Sequence, residues 1–349
     1  MNMNRYHLIV LIFILGLSAC NNNKQEGKTK KNEEKQVVDP VLAELDAINQ
    51  KIKADTMNAN LYEERAEFYY KNKQVNEALK DITKALSIDS SYSKYYVTLS
   101  DIYLEMGKLK NTIVALDKAV ELDSKNADAW LKLAEMSIVF NEYKKAAGYI
   151  DKAMKIDDMN PKSYFLRGQV MLETGDTVHA IKNFQKTLEV DQDFFDAQYQ
   201  LGLLYLGKKN KLAVDYFNNA LNIDPNSTEA KYYLGMYYQE TGDYDKAISI
   251  YKIILEKNPE YVFATYNIGY INLVYLENYD EAIEFFTKAI EQHPDYIDAI
   301  YNRGLSYEMK KDALNSKKDY EKVVELRPNY QKAVDGLNRV DEYLNSIEK

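Results

Sequence analysis

Apolar residues recur three and four positions apart along most of the chain. Leu99, Ile102, Tyr103 and Met106 form one such run, and Ile113, Leu116, Ala119 and Val120 the next. That is the period of a helix with one buried face, and no alternating strand pattern competes with it. A longer period overlies it. A small residue is followed twelve positions later by another: Ala66 by Ala78, Ser100 by Thr112, Ala134 by Ala146, Gly168 by Ala180, Gly235 by Ala247 and Gly304 by Ser316. Gly202 to Ala213 is one residue short, and Gly269 to Ala282 is one residue long. The unit is about 34 residues and recurs eight times between Ala59 and Tyr330. Each unit reads as two antiparallel helices that approach closely at the small residues. Gly107, Gly175 and Gly242 suit the left-handed residue that ends a first helix, and Asn72, Asn141 and Asn278 can adopt it too. Asp-Pro, Asn-Pro, His-Pro and Arg-Pro separate the later units, each proline stopping the helix before it. A unit of this length buries its apolar face only against its neighbours, so the expected fold is an all-α solenoid. Val41–Ala54 and Gln331–Ile347 read as amphipathic end caps, which places the caps at 39–58 and 331–349 and the units at 59–330.

Counted from the start of each unit, positions 4, 7, 8, 11, 20, 24, 27 and 32 carry the pattern. In the sixth unit these are Lys231, Leu234, Gly235, Tyr238, Ala247, Tyr251, Ile254 and Pro259. In the seventh they are Thr265, Ile268, Gly269, Asn272, Ala282, Phe286, Ala289 and Pro294, with the extra residue before Ala282. The third has Trp130, Leu133, Ala134, Ser137, Ala146, Ile150 and Ala153. The pattern resembles the tetratricopeptide repeat (TPR) family over about three quarters of the chain. It departs from the family at Lys231 and Thr265, where a large apolar residue is usual, and at Arg65, Arg167 and Arg303, where leucine is usual. Only the last four units carry the proline, as Pro225, Pro259, Pro294 and Pro328. The resemblance implies a right-handed α-solenoid superhelix of antiparallel helix pairs that serves protein–protein interaction.

The N-terminus reads as an address. Residues 1–19 combine a basic Arg5 with a short apolar core from Leu8 to Leu17, too few residues to span a bilayer. Leu17-Ser18-Ala19-Cys20 then resembles a bacterial lipobox, which implies cleavage before Cys20 and a lipid on its thiol. Cys20 is the only cysteine, which excludes an internal disulfide. Residues 20–38 are rich in Asn, Lys, Gln and Glu, a composition that stays disordered. As a flexible tether this segment reaches about 23 Å. The expected location is the bacterial cell envelope, lipid-anchored to a membrane, the outer membrane favoured, facing periplasm or cell surface. Asp55-Thr56-Met57 and Asp176-Thr177-Val178 resemble an O-glycosylation motif of exported Bacteroidetes proteins, with both threonines expected in loops.

The formal net charge of −9 argues against a nucleic-acid partner, since lysines alternate with acids along the helices as in Glu281, Glu284 and Lys288. His179 and His293 lie more than a hundred residues apart, and there is no phosphate loop, zinc motif, dinucleotide fingerprint or Cys/His cluster. No cofactor, metal, catalytic residue or small-molecule substrate is expected.

The resemblance implies that the first helix of each unit lines a concave groove. Position 5 is Glu63, Val97, Leu131, Phe165, Tyr199, Tyr232, Tyr266 and Tyr301 along the eight units, so the last four are tyrosines. Position 6 in those four is Gln200, Tyr233, Asn267 and Asn302, and position 9 adds Tyr270. Rings beside amides suit an extended peptide. The alternative is that position 5 packs between adjacent first helices. No three consecutive units carry the Lys, Asn and Arg set of a carboxylate clamp. The expected function is a membrane-tethered scaffold or adaptor that binds an envelope protein or peptide segment. A structural subunit of a secretion or motility complex and an envelope enzyme with a cryptic site are the alternatives.

Overall fold

The computed structural model describes residues 40–347, and the regular structure of these residues is entirely helical. The expected signal, Cys20 and the tether lie outside them. The helices are α1 (Pro40–Ala54), α2 (Ala59–Lys71), α3 (Val75–Ile88), α4 (Ser93–Glu105), α5 (Leu109–Leu122), α6 (Ala127–Val139), α7 (Tyr143–Ile156), α8 (Pro161–Glu173), α9 (Thr177–Val190), α10 (Phe195–Leu206), α11 (Leu212–Ile223), α12 (Thr228–Thr241), α13 (Tyr244–Lys257), α14 (Val262–Val274), α15 (Tyr279–Gln292), α16 (Ile297–Met309), α17 (Ala313–Leu326) and α18 (Gln331–Ile347). They pack as consecutive antiparallel pairs. The chain divides between Ala180 and Ile181, inside α9, into two compact units. In the first, α2 packs on α3, α4 on α5, and α6 on α7. In the second, α10 packs on α11, α12 on α13, α14 on α15, α16 on α17, and α18 closes on α17. Within each unit, first helices of successive pairs also touch, α2 with α4 and α14 with α16.

The first helices all end in the same way. A left-handed residue follows each: Lys73, Gly107, Asn141, Gly175, Lys209, Gly242, Glu277 and Lys311. The next residue's N–H reaches back five positions, as Gln74 to Tyr69, Lys108 to Tyr103 and Asp312 to Tyr307, at 2.8–2.9 Å. This closure satisfies carbonyls that the helix leaves unpaired. Two expected residues are corrected. Asn72 and Asn278 are not the left-handed residues; their neighbours Lys73 and Glu277 are. Asn72 instead donates its side-chain amide to the Phe68 carbonyl at 2.8 Å, a bond that needs Asn72 on the right-handed side. In the seventh unit the extra residue lengthens the turn after α14, so Asn278 reaches back six positions to Asn272. Thr56 sits in an exposed turn, as expected, but Thr177 is the half-buried first residue of α9 rather than a loop residue. A left-handed lysine costs about 1 kcal/mol relative to glycine. Lys311→Gly is therefore expected to raise stability by about that amount, read as a higher denaturation midpoint.

The arginines at position 7 are explained by ion pairs to neighbouring helices, to the second helix of the same pair for Arg65 and Arg303 and to that of the preceding pair for Arg167. Arg303 donates Nε and Nη2 to the two carboxylate oxygens of Asp319 at 2.8 and 2.7 Å, and Nη1 to Thr287. Arg65 holds Asp81 in the same two-pronged way and reaches Asn49 at 2.7 Å. Arg167 pairs with Asp151. Thr287 and Asp319 each lie sixteen residues from Arg303, so its guanidinium bridges the second helices on either side of its own helix. Position 8 meets position 24. In the second unit glycine faces an aromatic ring, Gly202 on Phe217, Gly235 on Tyr251 and Gly269 on Phe286. In the first three repeats alanine or serine occupies position 8 and an aliphatic residue position 24, as with Ala134 and Ile150, both fully buried; the fourth repeat already has Gly168 and Phe184 at these positions.

Candidate functional site

The position-5 residues separate the two halves of the chain. Glu63, Val97, Leu131 and Phe165 are 3, 8, 1 and 7 % exposed, whereas Tyr199, Tyr232, Tyr266 and Tyr301 are half-buried. One side of each of these four rings rests on the aromatic residue of its own second helix. Tyr199 lies 6.2 Å from Phe217, Tyr232 5.9 Å from Tyr251, Tyr266 5.6 Å from Phe286 and Tyr301 5.7 Å from Tyr320. A second tyrosine, from the residue just before the next first helix, joins three of them. Tyr261 lies 5.7 Å from Tyr232, Tyr296 5.0 Å from Tyr266 and Tyr330 5.4 Å from Tyr301. Ser227 holds that place beside Tyr199, and Tyr233 packs there instead at 6.0 Å.

The amides of position 6 are committed to this row. Asn302 donates to the Tyr266 hydroxyl at 2.8 Å. Asn267 donates to the hydroxyls of Tyr232 at 3.3 Å and Tyr251 at 3.2 Å. The same rung appears in the first unit with different chemistry: Thr98 donates to Glu63 at 2.9 Å, and Lys94 pairs with its other oxygen. A bond across about 35 residues thus ties each such unit to the next. Gln200 is buried. Tyr270 stacks on Tyr266 at 6.2 Å and lies 6.1 Å from Tyr275, which opens the lengthened turn after α14. The structure therefore brings Tyr199, Tyr232 and Tyr233 together and Tyr266, Tyr270 and Asn302 together, with Asn267 beside Tyr232; Tyr301 sits with Tyr320 and Tyr330.

Sequence reasoning missed Phe263. It is 53 % exposed at position 2 of α14, 6.3 Å from Tyr232 and 5.9 Å from Tyr261. Asp196, Glu229 and Asp298 hold position 2 in α10, α12 and α16, all exposed. It also missed Tyr261, Tyr296 and Tyr330, although a tyrosine 29 or 30 residues after three of the four position-5 tyrosines is a readable signal. Burial pushes the phenols of Tyr199, Tyr261 and Tyr266 well above the ordinary range, with a smaller push from the Glu229 or Asp298 carboxylate. Burial likewise raises Tyr296 and Tyr330 to about 12, helped by Asp298. A phenol raised in the folded state adds stability that is full below its unfolded value of about 10 and is lost as pH rises above it. On alkaline titration, phenolate absorbance from these rings is expected to appear only as the helical circular dichroism is lost. Phenolate formation ahead of helix loss would show the rings to be open to solvent.

His179 and Asp176 contact one another at the exposed start of α9, and His293 caps the end of α15. Among the described residues no three His, Cys, Asp or Glu side chains are grouped to hold a metal ion. No described helix is long and apolar enough to cross a membrane.

Tetratricopeptide repeat profiles match residues 59–92, 93–126, 209–262, 232–297 and 297–330, together more than half of the chain. The chain belongs to the tetratricopeptide repeat family. The profiles that match are TPR profiles and no catalytic family is among them. No curated protein sequence matches the chain significantly. Among solved structures the TPR array is similar to the Cut9–Hcn1 hetero-tetramer of APC/C, at TM-score 0.52 and 18 % identity over 85 % of this chain. The array spans only 58 % of that chain. It is also similar to pilF of Pseudomonas aeruginosa, at TM-score 0.52 and 18 % identity over 58 % of this chain and 92 % of the other. Likenesses at this identity concern the fold alone. The TPR fold is a protein–protein interaction scaffold, and its partners are proteins or peptides.

Proposed function

We propose that this TPR protein is a membrane-tethered scaffold of the bacterial cell envelope, held by a lipid on Cys20. It docks a segment of an envelope protein on the first-helix face of α10, α12, α14 and α16, the concave groove of the family. The observation that carries this reading is the half-buried tyrosine row at position 5, where the first four units bury the same position. Tyr199, Tyr232, Tyr233, Tyr266, Tyr270 and Tyr301 offer ring area at low entropy cost. Gln200, Asn267 and Asn302 are the polar guides. The N–H bonds of Asn267 and Asn302 to tyrosine hydroxyls fix the rings, and Asn302 and Gln200 are themselves buried, so these amides act by holding the row in place. The packing of the rings on their own second helices makes the face rigid before the partner arrives, which lowers the ordering cost of binding.

Two experiments test the two halves of the proposal. Cys20→Ala is expected to move the full-length protein from the membrane fraction to the soluble fraction; continued membrane association would end the anchor assignment. A photo-crosslinking residue at Tyr270 is expected to capture an envelope protein in the native host, and one at Lys252, exposed on α13, is not. Equal capture from both positions would remove the groove from the proposal.

A further inference from the structure

Position 4 of the unit has one recurring task. Its side chain donates a hydrogen bond to the backbone carbonyl six residues earlier, in the turn between units. Tyr62 donates to Thr56 at 3.2 Å, Tyr96 to Ser90 at 3.2 Å, Trp130 to Ser124 at 3.0 Å and Tyr164 to Asp158 at 2.8 Å. Gln198 and Lys231 reach the corresponding carbonyls of Gln192 and Pro225 with longer, thinner side chains. Ile300 fills the place in the eighth unit with a buried apolar side chain. Thr265, in the seventh, is too short. The carbonyl it would serve, that of Pro259, accepts instead from Gln292 Nε2 at 2.7 Å, a donor from the following second helix.

The shortfall leaves a cavity of about 420 Å³ lined by Thr265, Gln292, Pro259, Leu255, Phe285 and Lys288. Thr265 is 1 % exposed, and its hydroxyl oxygen and Gln292 Oε1 are buried polar atoms with no protein partner. Buried polar atoms are nearly always paired with protein or water, so two at one cavity call for a hydrogen-bonding occupant, a water or a side chain brought by a partner. The third unit shows what fits. There Trp130 lies 5.5 Å from the Tyr149 ring, with Lys152 Nζ 3.8 Å from the indole centroid and the indole N–H on the turn carbonyl. Tyr149 and Lys152 occupy the repeat positions of Phe285 and Lys288, so the seventh unit keeps the aromatic floor and the cation and lacks the ring.

We propose that this cavity binds an aromatic side chain with an N–H or O–H donor, a tryptophan or tyrosine of a partner polypeptide, in the place that Trp130 holds in its own unit. Lys288 Nζ rests 4.8 Å from the Phe285 centroid and pairs with Glu284; the incoming ring packs beside Phe285 and draws the ammonium onto its own face, its donor goes to Gln292 Oε1 or the Pro259 carbonyl, and Leu255 covers its edge. This site is separate from the tyrosine row, since it opens at the turn between α13 and α14 beside the second helices.

The test uses the full-length protein and four probes: N-acetyltryptophanamide, N-acetyltyrosinamide, N-acetylphenylalaninamide and free indole, titrated while backbone amide resonances of α15 are followed. The tryptophan and tyrosine amides are expected to shift the resonances of Lys288, Glu291 and Gln292. The phenylalanine amide, which lacks the donor, should bind about five- to tenfold more weakly. Thr265→Trp supplies the ring internally and should abolish binding while raising the melting temperature. Lys288→Ala should weaken the tryptophan amide about threefold or more through loss of the cation–ring contact. No shift with either donor-bearing amide, or unchanged binding in a folded Thr265→Trp protein, would overturn the proposal. Equal binding of the phenylalanine amide would overturn the donor assignment, and binding of free indole without the capped amino acids would overturn the polypeptide partner.

Discussion

Replacing Arg303 with leucine, the residue usual at its position, is expected to destabilise the protein by about 3 kcal/mol rather than to improve it. The side chain of Asp319 is only 8 % exposed, and Arg303 is its two-pronged partner. Removing the arginine alone leaves a carboxylate buried between α16 and α17. Leucine restores apolar contact but gives that charge nothing. The double change Arg303→Leu, Asp319→Asn should recover more than half of the loss, because it removes the buried charge together with its partner. The contrast is Lys288 with Glu284, exposed neighbours on one helix turn, whose separation should cost no more than about 0.5 kcal/mol. The measurement is chemical denaturation, with hydrogen exchange of α16 and α17 to localise the effect. A neutral Arg303→Leu would mean that Asp319 finds water or another donor, and that the ion pair does not hold the helices.

Adding one methyl group at Gly235 is the second large effect. Its Cβ would stand 2.6 Å from Tyr251 Cε1 and 3.1 Å from Cδ1. The ring cannot easily retreat. Tyr251 is fully buried, donates to Gln239 at 3.0 Å and accepts from Asn267 at 3.2 Å. Gly235→Ala is therefore expected to cost about 2–3 kcal/mol as an overpacked core, although alanine is the better helix former by about 1 kcal/mol. The third unit has already solved the same contact with Ala134 and Ile150. In a Tyr251→Ile background, Gly235→Ala should be neutral or stabilising, so the two changes must be non-additive by more than about 1 kcal/mol. Additive losses in thermal denaturation would show that the glycine is not there for the ring.

The pairing of glycine with an aromatic ring accompanies the candidate face in the second half of the chain. A large ring at position 24 provides a floor on which a position-5 ring can rest with one side still open. Ile82, Leu116 and Ile150 at position 24 accompany position-5 side chains that are buried, but so does Phe184 with Phe165 in the fourth repeat, so a ring at position 24 is not enough by itself to leave the position-5 ring open.

Helix pairs, their length and the places where first helices turn were legible in the sequence, because they rest on contacts three, four and twelve residues apart. Gly107, Gly175 and Gly242 announced their left-handed geometry, since glycine alone adopts it without strain. Lys73, Lys209, Glu277 and Lys311 did not, because the cost of a left-handed side chain is met by the closure of the turn around it. The tyrosine row could be read by counting positions, but not its bonds. Asn267 and Asn302 find their hydroxyls, and Arg303 its carboxylate, only when successive helix pairs are stacked in register. The cavity at Thr265 is of the same kind. A threonine in place of an aromatic residue is visible in the sequence, whereas Gln292 reaching across to take over its hydrogen bond is decided by how α15 lies against the preceding turn. Local periodicity determined the repeat, and the stacking of one repeat on the next determined which polar atoms pair and which are left to meet a partner.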